Sequence, residues 1–166
     1  TAISPEHVFT TMDVQQPTPS WGLDRIDQAG LPLDSSYSYD SLAGAGVRVY
    51  VVDTGIAAST TFGARLLAGT NTTGDAYGTS DCNGHGTHVA GTIASTAYGV
   101  AKGASLVPVR AMDCAGNGTT STVVNALGWI LSHHPAGSPG VVNMSLGGPV
   151  DAAVNSAVSA LLSNGL

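Results

Sequence analysis

An aspartate and a histidine stand in two short motifs that could act together on a nucleophile. Asp53 follows the apolar run Val47–Val52 and precedes Thr-Gly, and His85 stands in the sequence Asn-Gly-His-Gly-Thr-His. A serine hydroxyl is a weak nucleophile, so it needs a histidine to take its proton and a carboxylate to hold that histidine in the correct tautomer. The pair is therefore suited to nucleophilic catalysis at a serine. Taken singly, a turn or N-cap aspartate and a histidine at a helix start are the alternative interpretations.

The elements that must position this pair follow from the apolar pattern. The almost continuous β-branched and aromatic run Val47–Val52 predicts a strand buried on both faces, and a helix is predicted from His85 to about Ala94. Strands are also predicted at Ser105–Ala111 and Val141–Ser145, and helices at Ser121–His133 and Asp151–Ser163. Strands that alternate with helices predict an α/β fold with a parallel sheet. Asp53 would lie at the carboxyl edge, where such sheets place their sites.

Three segments lack these patterns. Residues 1–20 contain prolines and no helical period, which predicts a tail without regular structure. Residues 34–46 and 69–84 are polar and rich in glycine or serine, which predicts loops. Between the tail and the first loop, Trp21–Gln28 is a short amphipathic stretch.

The composition limits the classes of function. Apolar residues make up 43% of the 166 residues and charged residues 10%, which suits a compact fold of the secreted type. The net charge is −6 and no basic cluster is visible, which argues against nucleic acid and anionic membranes as partners. Gly44-Ala45-Gly46 precedes a strand and lacks a third glycine, so it does not predict a nucleotide site, and no organic cofactor is expected.

The Asp53 and His85 motifs resemble those of the subtilisin superfamily, and within it the proteinase K and aqualysin branch. Further segments that resemble this branch are Trp21–Gln28, Tyr98–Lys102 and Asn143–Gly148. The resemblance implies a subtilisin-like parallel sheet with helices on both faces. It also implies a secreted, extracellular serine endopeptidase of broad specificity, a hydrolase in which Asp53 and His85 are two members of an Asp-His-Ser triad.

The resemblance also implies two walls of a substrate cleft. Ser145, Leu146 and Gly147 would form one wall of the primary specificity pocket. Gly116, Asn117 and Gly118 would form the other, and would pair with extended peptide as an added strand. Ordinary turn chemistry is the alternative interpretation of both segments.

The family's nucleophile motif, Gly-Thr-Ser-Met-Ala, is not among these 166 residues. The serine and the oxyanion asparagine would then lie beyond the chain, and the sheet would be incomplete in it. We expect a companion chain, the carboxyl-terminal remainder of the protease, in addition to a peptide or protein substrate. Alternatively, the chain is a truncated, non-catalytic relative that only binds peptide.

The amino-terminal tail resembles the end of a family propeptide. Ile3–Phe9 would be its last strand, and processing would fall between Thr10 and Val14. Residues 1–13 are therefore predicted to be propeptide, as in a zymogen, and residues 14–166 the amino-terminal part of the peptidase domain.

Cys82 and Cys114 are the two cysteines of the chain. Composition alone leaves a disulfide and two buried thiols equally open, whereas the resemblance implies a disulfide. A zinc site that adds His85 and His88 is a further alternative, but it would consume the histidine needed for catalysis.

A structural calcium site is the last expectation. Several hard oxygen ligands fall within 13 residues, and relatives in this branch bind calcium at matching positions. The candidate ligands are Asp24, Asp27, Gln28, Asp34 and Ser36. The alternative is a solvated acidic loop with helix caps.

Overall fold

A computed structural model describes residues 11–166, which divide into two compact units after Ala43. In the first unit, strands β1 (Met12–Gln15) and β2 (Tyr37–Asp40) pair antiparallel, with helix α1 (Trp21–Asp27) between them in sequence. The amphipathic stretch predicted from Trp21 is therefore a helix of two turns.

Two expectations for this unit are wrong. Met12–Gln15 was expected to lack regular structure and Tyr37–Asp40 to lie in a loop, yet the two segments form a ladder in register. Strands of four residues are too short to show a clear period, and their pairing depends on residues far apart in sequence. The propeptide strand predicted at Ile3–Phe9 lies outside the described residues, so that interpretation stays a prediction.

The second unit contains a parallel sheet of four strands in the order β4-β5-β3-β6. Its strands are β3 (Arg48–Asp53), β4 (Thr70–Asn71), β5 (Ser105–Arg110) and β6 (Gly140–Asn143). Its helices are α2 (His85–Ala94), α3 (Thr120–His133) and α4 (Ala152–Ser163), with a single 3₁₀ turn at Gly63–Arg65. The predicted alternation of strands and helices is confirmed, except that β4 lies in a segment expected to be loop.

Helices cover both faces of this sheet. Tyr50 and Val52 of β3 pack in a buried cluster with residues of α3 and α4, whereas Val49 and Val51 pack in a second cluster with residues of α2. Alternate residues of one strand thus contribute to two cores, as the continuous apolar run predicts. Among residues 11–166, none of the helices combines the length and apolar character needed to cross a membrane.

The register of the sheet brings three strand ends to one edge. Asp53 at the end of β3 lies opposite Arg110 at the end of β5. On the other side Val51 lies opposite Asn143, so the chain leaves β6 beside the same edge. The segments that follow β3, β5 and β6 therefore meet there.

Candidate active site

The two residues predicted to be catalytic are in direct contact. Nδ1 of His85 lies 2.8 Å from Oδ1 and 2.9 Å from Oδ2 of Asp53. The Asp53 side chain is 2% exposed, whereas that of His85 is 53% exposed. The carboxylate is thus shielded from water, whereas the imidazole is exposed to solvent.

This contact fixes the tautomer of His85. A carboxylate accepts hydrogen bonds, so Nδ1 is the donor and Nε2 keeps its lone pair. A histidine held in this way can accept a proton at Nε2 on its exposed side, and the adjacent carboxylate stabilises the imidazolium that results.

Backbone amides hold Asp53 in place. Its side chain accepts a hydrogen bond from the N–H of Thr54 at 2.7 Å. Its carbonyl oxygen accepts from the N–H groups of Ala111 at 2.9 Å and Met112 at 3.2 Å, just after β5. The end of β5 therefore anchors the end of β3.

His85 is held by its position at the first residue of α2. Gly84 precedes it as N-cap with φ 107°, in the left-handed region that favours glycine. The backbone N–H of His85 donates to the side-chain oxygen of Asn83 at 3.2 Å. This turn directs the start of α2 toward the end of β3.

A cleft of about 490 Å³ opens in front of the pair. Besides Asp53 and His85, it is lined by both predicted substrate segments, Gly116-Asn117-Gly118 and Ser145-Leu146-Gly147. The two segments follow β5 and β6, which explains why they meet at one edge of the sheet. The structure thus brings every residue predicted for catalysis or substrate binding into one cleft.

Residues 44–164 match the model of the subtilase family. The chain belongs to the subtilase family. This confirms the family resemblance of the motifs and the α/β fold that it implies.

Individual relatives agree with this assignment. This subtilase chain is 50% identical to the extracellular serine proteinase of Thermus sp. (strain Rt41A) over 92% of its own length and 37% of that protein. It is 47% identical to the alkaline serine exoprotease A of Vibrio alginolyticus over 95% of its own length and 29% of that protein. It therefore spans about a third of the length of these relatives.

A solved structure shares the fold. The chain superposes on the crystal structure of a cold adapted subtilisin-like serine proteinase with a TM-score of 0.81 and 46% sequence identity. The superposition covers 89% of this chain and 54% of the other.

A disulfide joins the segment just before α2 to the cleft wall that follows β5. Cys82 and Cys114 are bonded at 2.03 Å, as the family resemblance implies. Asn83 adds a hydrogen bond from its side-chain amide to the carbonyl oxygen of Cys114 at 3.0 Å. Because both sulfurs are bonded to each other, no thiolate is left at these positions for the zinc alternative.

Arg110 is a buried cation behind the site that the sequence did not reveal. Its Nε donates to the carbonyl oxygen of Thr54 at 2.9 Å, and its Nη1 pairs with the Asp75 carboxylate. Its Nη2 lies 3.2 Å from Sγ of Cys82. The hydrogen bond from Arg110 holds the pKa of Asp75 well below its usual range. One fully buried side chain thus connects the aspartate segment, the disulfide and the loop that follows β4.

The five residues predicted to bind calcium lie in α1 and in the loop between α1 and β2. Their side chains mostly hydrogen-bond to the backbone of this loop and of β2. The Asp24 carboxylate accepts from the backbone N–H groups of Asp34 at 3.2 Å and Ser35 at 2.8 Å. Asp27 accepts from the N–H of Ser38 at 2.6 Å. Within residues 11–166, no three acidic, histidine or cysteine side chains are grouped so that they could hold a metal ion. The calcium site therefore stays a prediction.

Several residues of the cleft were not predicted from the sequence. Asn83, Met112 and Ala115 also line it. A signal for Met112 was available, since it follows the end of β5 at the edge that carries Asp53. Asn83 stands two residues before His85, a spacing that suits an asparagine side chain bonding to the backbone at a helix start.

Proposed function

We propose that this chain supplies the aspartate and the histidine of a subtilisin-type serine endopeptidase. The observation that carries the proposal is the hydrogen-bonded pair of Asp53 and His85 at the rim of the cleft, with Nδ1 and Oδ1 2.8 Å apart. In this role His85 takes the proton of a serine hydroxyl at Nε2 and later returns it to the leaving amine. Asp53 holds the imidazole in the required tautomer and stabilises its cation.

The serine and the oxyanion asparagine come from sequence beyond this chain. An oxyanion donor contributes about 3–4 kcal/mol of transition-state stabilisation, so the chain alone would lack most of the catalytic power. We infer a carboxyl-terminal remainder that completes the site. It is either a continuation of this polypeptide or a companion chain.

The substrate is an unfolded or loop segment of protein. Gly116, Asn117 and Gly118 are exposed. The N–H groups of Gly116 and Asn117 and the carbonyl oxygen of Asn117 bond to Asp113, so an extended peptide would pair with the Gly116 carbonyl and the backbone of Gly118. Recognition through the main chain tolerates many side chains, which supports broad specificity. Ser145, Leu146 and Gly147 form the opposite wall, where a substrate side chain would enter. Secretion fits the disulfide and the extracellular relative.

The proposal is tested by covalent labelling of the serine that His85 would deprotonate. A natively purified sample is treated with a serine-directed fluorophosphonate and resolved by intact mass under denaturing conditions. We expect label on a polypeptide that contains Gly-Thr-Ser-Met-Ala, and loss of labelling in His85→Ala. His133→Ala, which removes an exposed histidine at the end of α3, is the matched control and should keep the label. A folded sample that binds peptide, takes up no label and hydrolyses nothing would favour the non-catalytic alternative.

We also propose that calcium stabilises the loop after α1. Calcium takes six to eight oxygen ligands, and backbone carbonyls are among them. The carboxylates of Asp24, Asp27 and Asp34 keep lone pairs beyond those used by N–H groups. Gln28 donates through its amide nitrogen, so its side-chain oxygen remains a possible ligand. Ser36 completes the predicted set with a hydroxyl.

The calcium proposal is tested without reference to activity. Calcium alone is titrated into protein freed of metal, and both binding heat and thermal unfolding are followed. We expect saturable binding and a rise in the unfolding temperature, both lost in Asp27→Asn. Asp40→Asn, a change in β2 outside the predicted ligand set, is the matched control. Binding that is equal in both variants would contradict this ligand set.

A further inference from the structure

The carboxylate of Asp81 accepts hydrogen bonds from both motifs of the site and is not part of the proposed triad. Its Oδ1 accepts from the hydroxyl of Thr54 at 2.9 Å and from the N–H groups of Asn83 at 2.9 Å and Gly84 at 2.8 Å. Its Oδ2 accepts from the N–H of Thr87 at 2.9 Å and from the hydroxyl of the same residue at 2.5 Å. One carboxylate thus holds five donors.

The side chains of Thr54 and Thr87 link the segment after β3 to the start of α2. Thr54, next to Asp53, accepts a hydrogen bond at its Oγ1 from the N–H of Gly86 in α2, at 3.0 Å. Thr87, in α2, accepts at its Oγ1 from the N–H of Ala57, at 2.9 Å. Each segment therefore offers a hydroxyl to a backbone amide of the other.

Asp81 sets the direction of both hydroxyls. A threonine hydroxyl has one proton and can donate once. Because a carboxylate only accepts, both hydroxyls must donate to Asp81, which leaves their lone pairs for the amides of Gly86 and Ala57. An acceptor with two oxygens is therefore required at this position.

An amide in place of the carboxylate cannot satisfy these donors. Each carboxylate oxygen faces at least one backbone N–H, from Asn83 and Gly84 on one side and from Thr87 on the other. In Asp81→Asn the NH₂ group would point at an N–H whichever way the amide turned. The hydroxyl on that side, of Thr54 or of Thr87, would lose its acceptor. Its hydrogen bond with the backbone amide of the other motif would then be lost.

We propose that Asp81 is a positioning residue that sets the distance between Asp53 and His85 by directing the hydroxyls of Thr54 and Thr87. The inference rests on the proposed function, since it assigns Asp81 a part in the same reaction. Asp81 does not touch the substrate or the reacting atoms; it acts through the two threonines. Its loss should lower kcat by a larger factor than it raises KM, because Asp81 reaches the substrate wall after β5 only indirectly, through Asn83 and the neighbouring disulfide.

The experiment uses the complete protease, with the polypeptide that carries the serine. Steady-state hydrolysis of a fluorogenic peptide is measured for the wild type and for Asp81→Asn. A misplacement of a catalytic group by about 1 Å can cost roughly 100-fold in rate, so we expect kcat to fall by about 10- to 100-fold. The matched control is Asp151→Asn. Asp151 also binds one threonine hydroxyl and two backbone N–H groups, but at the start of α4.

A second pair of variants covers the case in which Asp81→Asn does not fold. Thr87→Val removes one directed hydroxyl at nearly constant volume, and Thr87→Ser restores it. We expect kcat to fall in Thr87→Val and to recover in Thr87→Ser. A wild-type kcat in folded Asp81→Asn or in Thr87→Val would overturn the proposal, and so would an equal loss of kcat in Asp151→Asn.

A spectroscopic readout separates this proposal from the proposed function. The proton between Nδ1 of His85 and the Asp53 carboxylate is followed by its NMR resonance in the wild type and in Thr87→Val. We expect the resonance to shift or broaden in the variant, even if the wild type hydrolyses no peptide. An inactive wild type would overturn the proposed function alone, whereas an unchanged resonance would overturn the role of Asp81.

Discussion

A Cβ atom added to Gly86 would lie 2.2 Å from the carbonyl oxygen of Gly55. The same atom would lie 3.0 Å from Oδ1 of Asp53. The start of α2 and the segment after β3 therefore meet backbone to backbone, with no room for a side chain. This close approach is what allows His85 to reach the Asp53 carboxylate.

Gly86→Ala should separate the two motifs. The backbone oxygen of Gly55 cannot move aside as the end of a flexible side chain could, so we expect a loss of about 1–3 kcal/mol in unfolding free energy together with a large fall in kcat. Urea unfolding and peptide hydrolysis measure the two effects.

The matched control for this change lies on the same helix. An added Cβ at Gly91 would meet no atom within 4 Å, so Gly91→Ala should raise the unfolding free energy by about 0.5–1 kcal/mol through its effect on helix propensity. Equal stability and activity of Gly86→Ala and Gly91→Ala would show that the close approach does not matter.

Asp53→Asn should abolish most catalysis while leaving the fold intact. The amide can present its NH₂ group to Nδ1 of His85, which favours the wrong tautomer, and a loss of about 10⁴-fold in kcat is expected. KM should not change, because Asp53 holds the histidine and not the peptide. The kcat of the complete protease and its thermal unfolding would be measured together. A variant that keeps its kcat would exclude Asp53 from the triad.

The sequence predicted the elements with strong patterns and the two motif residues. The apolar run Val47–Val52 predicted β3 to within one residue, because a strand buried on both faces needs such a run. β1 and β2 were missed because short strands gain their stability from a partner that the local sequence does not identify. Only the structure could reveal the role of Asp81, since its partner Thr54 is 27 residues away. Arg110 is a similar case, because it binds the backbone of Thr54, 56 residues away.

Removing the disulfide should destabilise the fold around the cleft. Cys82 and Cys114 are 32 residues apart, and closing a loop of this length contributes about 3–4 kcal/mol on the chain-entropy model. Urea unfolding with and without dithiothreitol measures the effect in the wild type. The double variant Cys82→Ala with Cys114→Ala should match the reduced wild type and should not respond to dithiothreitol. A response in that variant would mean that the reductant acts elsewhere.

Arg110→Lys should destabilise the protein although it keeps the charge. A lysine ammonium is a single point, so it cannot bind the Thr54 carbonyl, the Asp75 carboxylate and the disulfide at once. We expect a loss of about 1–3 kcal/mol in unfolding free energy. Arg48→Lys, at the opposite end of β3, is the control and should change stability little. If both variants unfold alike, the three contacts of Arg110 do not contribute to stability.

The Asp81 carboxylate should make the unfolding free energy fall at acid pH. Burial raises the pKa of this group, but hydrogen bonds from Gly84, Thr87 and Asn83 outweigh burial and lower the pKa from 3.8 to about 2. Since the folded protein holds the proton less tightly than the unfolded chain, the stabilising contribution is complete above the unfolded value of 3.8. It is lost as pH falls toward about 2.

This contribution can be isolated by difference, because the pKa of Asp75 and that of Asp151 are lowered as well. Unfolding free energies of the wild type and Asp81→Asn would be measured in urea across the acid range. Their difference should be constant above pH 3.8 and should narrow as pH falls toward 2, because the wild type alone loses the Asp81 contribution there. Curves that stay parallel through this range would mean that the hydrogen bonds to Asp81 do not favour its charged form.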